Sequence, residues 1–189
     1  MNRLLIGVFL LVLSSSWCFA EKINYEDSKD IEVVTIDFGS TDLLMITEKM
    51  VSSLLTEQEL LANKPVIKLG YIKNKTSEYI DTNNILSSIS THLTKSKKVR
   101  IAASNEDNQQ IVEELAHQNQ NGLYKKNTAP KIGGMLGAKY LLDGELTSIV
   151  KKNSSEKDVY YKFTLKLRDL EQNIIEWQEE KDIRKTAKR

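Results

Sequence analysis

Residues 158–170 read DVYYKFTLKLRDL, with Val159, Tyr161, Phe163, Leu165 and Leu167 alternating with Tyr160, Lys162, Thr164, Lys166 and Arg168. Successive side chains of a strand point to opposite faces, so this period of two predicts a strand with one buried face and one wet face. Gln172 and Asn173 supply a turn, and IIEWQEEKDI at 174–183 resumes the alternation with Ile175, Trp177 and Ile183 in phase. Trp177 shares that phase with two isoleucines and therefore reads as a core residue rather than an exposed anchor. Together with 139–151, these segments predict a three-strand antiparallel meander.

Upstream lies KIGGMLGAKYLLDGELTSI at 131–149, with glycines at 133, 134 and 137. A dinucleotide fingerprint runs strand, Gly-x-Gly-x-x-Gly, helix, so that a pyrophosphate meets helix N-terminal amides. Here Thr128 and Pro130 open a short helix, and the order is helix, glycines, strand. The phosphate loop with Gly-Lys-Ser/Thr is also missing. The glycines thus read as a joint: Gly133 and Gly134 let the short helix approach the sheet, and Gly137 ends it in a left-handed conformation.

Further toward the N-terminus, strands and helices alternate. IEVVTID at 31–37 predicts a strand, and 39–61 a helix capped by Ser40 or Thr41, with Leu43, Ile46, Met50 and Leu54 on one face. A strand follows at 63–74. Asp81 caps a helix over 81–96 whose buried stripe is Ile85, Ile89 and Leu93. A short strand at 97–104 leads to a helix over 105–122 that stops at Gly122. The order β-α-β-α-β-α-α-β-β-β predicts an α+β fold: a mixed, mostly antiparallel sheet flanked by helices.

The chain has 189 residues, 40% apolar and 28% charged, a globular balance for one domain of ordinary size. Its net charge of +1 falls to zero without the first twenty residues, which hold Arg3 and no acid. A neutral body argues against nucleic acid as a partner. Residues 1–20, MNRLLIGVFLLVLSSSWCFA, read as a signal peptide: Arg3, an apolar core at 4–13, serines at 14–16, and small residues Cys18 and Ala20 at −3 and −1 of a cut before Glu21. A second reading makes Cys18 the lipidated residue of a bacterial lipoprotein, although the large Trp17 stands where that processing favours a small residue. An uncleaved anchor would need about 20 apolar residues. EKINYEDSKD at 21–30 reads as a short tether and 31–189 as the folded domain. Beyond Cys18 there is no cysteine, so no disulfide supports the domain.

Little in the domain suggests catalysis. His92 and His117 fall on separate predicted helices with no ligand partner at i+4, so no metal or cofactor site is expected. No Gly-x-Ser-x-Gly elbow occurs, and Glu113–Glu114 and Glu179–Glu180 belong to exposed faces. Asn74-Lys75-Thr76 ends a strand before a helix, where short polar side chains brace a turn or meet a partner. It also spells a glycosylation sequon, as does Asn153-Ser154-Ser155.

Five stretches in order carry a family resemblance: FGSTDLLMITEKMVSSLL (38–55), KPVIKLGYIKNKTSEYID (64–81), ISTHLTKSKKVRIAAS (89–104), LGAKYLLDGELTSI (136–149) and YYKFTLKLRDLEQNIIEWQEEKDIRK (160–185). The most specific features are the Asn-x-Thr at 74–76, the Gly137-Ala138-x-Tyr140-x-x-x-Gly144 spacing, and the final hairpin with Trp177. Together they resemble the LpoB-type activators of penicillin-binding proteins, bacterial envelope lipoproteins.

The resemblance implies an α+β domain related to the TolB N-terminal domain and to CsgG, with no catalytic activity and no cofactor. It implies a partner too, a bifunctional penicillin-binding protein whose glycan polymerisation and crosslinking the domain stimulates. It further implies a periplasmic location, with anchoring to the outer membrane through a lipidated Cys18. Candidate contacts are Asn74, Lys75 and Thr76 on the turn and Lys162, Lys166 and Arg168 on the wet face of the meander. Three departures stand out, the first being the large Trp17 before Cys18. Gln172–Asn173 stands where the family commonly has Thr-Gly, and in place of the family's long disordered tether only twelve residues lie between Cys18 and Ile31, about 45 Å at full extension. The alternatives are a CsgG- or TolB-like envelope assembly module with a different protein partner, and an exported hydrolase with carboxylates or histidines converging in a cleft.

Overall fold

The computed structural model describes residues 35–120, 122–125, 128, 130 and 133–188. In chain order the elements are α1 (Ser40–Leu54), α2 (Gln58–Leu61), β1 (Val66–Lys75), α3 (Thr82–Ser96), β2 (Arg100–Ala102), α4 (Asn105–Gln120), β3 (Tyr140–Lys152), β4 (Glu156–Asp169) and β5 (Ile175–Lys188). The strands form one sheet in the order β2-β1-β3-β4-β5. β1 runs parallel to both β2 and β3, and β3, β4 and β5 form the expected antiparallel meander. The fold is a mixed-sheet α+β domain.

The alternation in β4 governs the core. Val159, Tyr161, Phe163, Leu165 and Leu167 are all at most 1% exposed. Register aligns them with Leu142 and Leu146 of β3 and with Trp177 and Ile183 of β5. Over this face lie α1, through Ile46, Met50 and Leu54, and α3, through Ile85, Ile89 and Leu93. Those positions recur every three or four residues, so one stripe of each helix meets the sheet. The opposite face of the meander carries none of these core side chains. α4 stands apart from the core: none of its described side chains is fully buried.

Local chemistry explains the helix boundaries. Asp81 accepts the Asn83 N–H at 3.0 Å, the expected N-cap of α3. In α1 the cap is Gly39, not Ser40 or Thr41, and Ser40 is the first helical residue. Asp42 fixes this start, because its carboxylate at the third helical position reaches back to accept the Gly39 N–H at 2.8 Å, the N3 half of a capping box. The helix expected over 39–61 breaks after Leu54, leaving α2 as a separate single turn.

The glycine joint differs from its reading. Residues 134–138 carry no helix, Gly133 rather than Gly137 is left-handed (φ 85°), and a Cβ at either position would meet nothing within 4 Å. Three glycines in five positions each cost a helix about 1 kcal/mol relative to alanine, and no close packing at Gly133 or Gly137 offsets that cost. The glycines that permit close approach are Gly70 and Gly144, which lie inside strands. A Cβ on Gly144 would sit 2.3 Å from the Thr164 carbonyl oxygen, and one on Gly70 3.0 Å from the Asp143 Cβ. Beside them the β1–β3 register shifts between Leu69 and Ile72.

The predicted strand at 31–37 is not seen in its described part, as 35–37 carry no strand, and 31–34 lie outside the described residues. Ile175 also departs from its expected phase. The β4–β5 register shifts between Leu167 and Arg168, so Trp177 opposes Leu167 while Ile175 opposes Arg168 and is half exposed. Trp177 is 6% exposed, a core residue as its neighbours implied. Asn173 takes the left-handed conformation (φ 56°) that the hairpin turn demands. The turn is braced by Asp169, whose Oδ1 accepts the Glu171 and Gln172 N–H groups at 2.8 and 2.9 Å.

Gly144→Ala is expected to destabilise the domain by about 1–3 kcal/mol, because the added methyl meets backbone that cannot yield. Gly137→Ala should change stability by less than about 0.5 kcal/mol. Urea unfolding followed by Trp177 emission measures both, and equal effects would contradict the close approach.

Candidate partner interface

Among the described residues no helix covers the second face of the meander, which is ruled by cross-strand register. Lys75, Thr147, Lys162 and Asp182 form one row across β1, β3, β4 and β5. Lys73, Glu145, Thr164 and Glu180 form the next. Then come Asp143, Lys166 and Gln178, and finally Leu141, Arg168 and Ile175. Four of the six candidate contacts (Lys75, Lys162, Lys166 and Arg168) therefore share one surface, although they come from two separated segments. Neighbouring strands lie about 4.8 Å apart, so Lys75 and Lys162 are about 10 Å from each other across Thr147.

Most charges on this face are matched. Lys75 bonds Glu145 at 2.6 Å, Lys162 bonds Glu180 at 3.2 Å, and Arg168 is paired with Asp143. Arg184 grips Asp158, with its closest approach at 2.7 Å. The Lys75 hydrogen bond holds the Glu145 carboxyl below the usual carboxylate range, with Lys166 and Lys73 acting in the same sense and burial opposing. Arg184 holds Asp158 low in the same way, and the Glu180 hydrogen bond raises Lys162. Lys166 and Lys73 make no ion pair among the described residues.

Asn74 and Thr76 are occupied in building the turn after β1. Asn74 Oδ1 accepts the Thr76 N–H at 2.9 Å, and Asn74 Nδ2 donates to the Glu78 carbonyl at 2.9 Å. The Thr76 hydroxyl, 2.8 Å from Asn74 Oδ1, accepts the Glu78 N–H at 3.2 Å. Asn153 builds a similar turn, its Oδ1 accepting the Ser155 and Glu156 N–H groups at 2.9 and 2.7 Å. Both sequons thus share one local geometry.

The turn delivers Glu78 to the core edge, where the Tyr161 hydroxyl donates to its carboxylate and the Phe38 N–H donates at 3.0 Å. Burial first, and Glu78 second, push the Tyr161 hydroxyl pKa up. A tyrosine in the buried phase of a strand must find a partner for its hydroxyl, so position 161 signalled such a contact without naming Glu78. The sequence reading also missed Tyr71, Lys73 and Ile175 on the open face, because the register shifts in β1 and β5 set their direction. His92 and His117 are exposed, the latter edge-on to Tyr124 with ring centres 6.2 Å apart. Among the described residues no three His, Cys, Asp or Glu side chains are grouped to hold a metal. Cys18 lies outside the described residues.

Glu145, Asp158, Asp169 and Glu179 are all held below their ordinary carboxylate values, chiefly by hydrogen bonds to their ionised forms. Their contribution to stability is complete above their unfolded pKa values of about 4 and is lost as pH falls through the folded ones. The urea midpoint should hold from neutrality to about pH 5 and decline below about pH 4. A midpoint constant from pH 7 to pH 3 would contradict this.

The chain resembles several solved structures. The LpoB C-terminal domain from Salmonella enterica is 14% identical with a TM-score of 0.45, covering 75% of this chain and 98% of that one. The LpoB C-terminal domain from Escherichia coli is 13% identical with a TM-score of 0.43, covering 72% and 94%. Lipoprotein GNA1162 from Neisseria meningitidis is 15% identical with a TM-score of 0.39, covering 65% and 84%. No curated protein matches the chain significantly. The family model described as peptidoglycan-synthase activator LpoB matches residues 42–183, from within α1 to within β5. On that match, the chain belongs to the LpoB family of peptidoglycan-synthase activators.

Proposed function

We propose that this protein is a non-enzymatic regulator of peptidoglycan synthesis that binds a bifunctional penicillin-binding protein and raises its rate of glycan polymerisation and crosslinking. The observation that carries the reading is the family match over residues 42–183. The helix-free face supplies the docking surface, with Lys75, Lys162, Lys166 and Arg168 on it and Asn74 and Thr76 shaping its corner. Activation follows from binding the synthase's active arrangement more tightly than its inactive one. A tenfold rise in rate requires only about 1.4 kcal/mol of differential affinity. The domain works in the periplasm, with residues 1–20 removed as a signal peptide and 21–30 as a tether. If Cys18 is instead the first mature residue, its lipid anchors the domain to the outer membrane.

Purified residues 21–189 are expected to retain a penicillin-binding protein from an envelope extract and to stimulate its polymerase rate severalfold. Retention of secretion-channel components alone, or binding without any change in rate, would overturn the proposal. Mass spectrometry of the mature protein is expected to find Glu21 at the N-terminus. A diacylglycerol-modified Cys18 would establish the anchored form.

A further inference from the structure

We infer that the docking surface centres on a depression between β1 and β5 that receives an acidic segment of the partner protein: a carboxylate side chain held by Lys73 and Lys166, flanked by an apolar side chain resting on Tyr71 and Ile175. This deepens the docking reading above and rests on it. The depression measures about 250 Å³ on the helix-free face. Its floor holds Asp143 and Glu145, already matched by Arg168 and Lys75. Lys73 and Lys166 line the same depression and make no ion pair among the described residues, so cations exceed acids there.

An unmatched pair of cations beside neutralised carboxylates selects an anionic visitor. The flanking groups identify its class. Tyr71 is 69% and Ile175 51% exposed, at the β1 and β5 ends of the depression. Exposed apolar residues are ordinary when scattered, but here an aromatic and an aliphatic group bracket the free charges. Exposed aromatic side chains are enriched at protein–protein interfaces, where they supply contact area beside polar and charged groups. A bare anion would make no use of Tyr71 or Ile175. Nucleic acid is disfavoured by a body with no net charge outside residues 1–20. A polypeptide offers a carboxylate and an apolar side chain on adjacent residues.

The test uses the mature chain and the purified synthase. Lys166→Glu and Tyr71→Ala are each expected to weaken binding about tenfold, with Trp177 emission and thermal unfolding unchanged. Lys151→Glu makes the same charge change on β3 outside the depression and should weaken binding less than threefold. Carbodiimide crosslinking, which joins lysine to carboxylate, should couple Lys73 or Lys166 to an Asp or Glu of the synthase. If the wild-type protein binds and stimulates but only Lys151→Glu weakens it, the inference falls while the docking reading stands. Carbodiimide coupling of Lys73 and Lys166 only to peptidoglycan stem peptides would likewise overturn it. Failure of the wild-type protein to bind any synthase would remove the docking reading itself.

Discussion

The domain depends on keeping β4 in register. The strand is paired along both edges, and five of its alternate side chains are sealed beneath α1 and α3. In a strand, a slip of one residue exchanges the two faces completely. Such a slip would carry Tyr161, Phe163 and Leu165 into water and bury Lys162, Lys166 and Arg168. Burying those cations without partners would cost several kcal/mol each. The penalty falls on both faces together, so one register prevails without a disulfide in the domain. The rows of charge on the open face are the other half of the same constraint, since whatever fixes the core also fixes which lysine stands opposite which carboxylate.

The two ends of the open face differ in character. Toward the β3–β4 hairpin, Arg184 and Asp158 satisfy each other and the Asn153 turn ties the connection. Toward Gly144 the β1–β3 register shifts, and the matched pairs Arg168–Asp143 and Lys75–Glu145 leave Lys73 and Lys166 without an ion pair among the described residues. Gly144 has a structural part in this. Its missing side chain lets β3 close against the Thr164 carbonyl, on strands that carry Glu145 and Lys166. Packing on one side of the sheet thereby sets the spacing of charge on the other.

How much of this could be read from the sequence follows from how local each cause is. β4 was legible because its alternation is complete in one segment, and α1 and α3 because their apolar stripes recur at helical spacing. The Asp81 cap and the Asn173 turn were legible because each acts within a few residues of itself. Ser40 looked like a cap, but Asp42 accepts the Gly39 amide and starts the helix one residue earlier, a choice that composition does not decide. The glycines at 133, 134 and 137 suggested a joint, whereas the close approaches occur at Gly70 and Gly144. Those roles depend on neighbouring strands far away in sequence. Tyr71 and Ile175 were missed for the same reason, since register shifts created by strand pairing turn them outward. Of the candidate contacts, Lys162, Lys166 and Arg168 were suggested by the wet phase of β4, and Lys75 by the turn at 74–76. That Lys75 lies in line with Lys162 required the parallel β1–β3 pairing.

The segment entering α1 is bound to the far end of the fold. The Ile36 carbonyl accepts the Tyr161 hydroxyl, Asp37 is met by Lys157 and by Lys185, and Lys185 also pairs with the buried Asp42. α1 therefore cannot lift from the sheet without first parting these clasps to β4 and β5. The entry to the first helix is thus latched onto the best-packed strands of the sheet, and the exposed helix α4 takes no part in that latch.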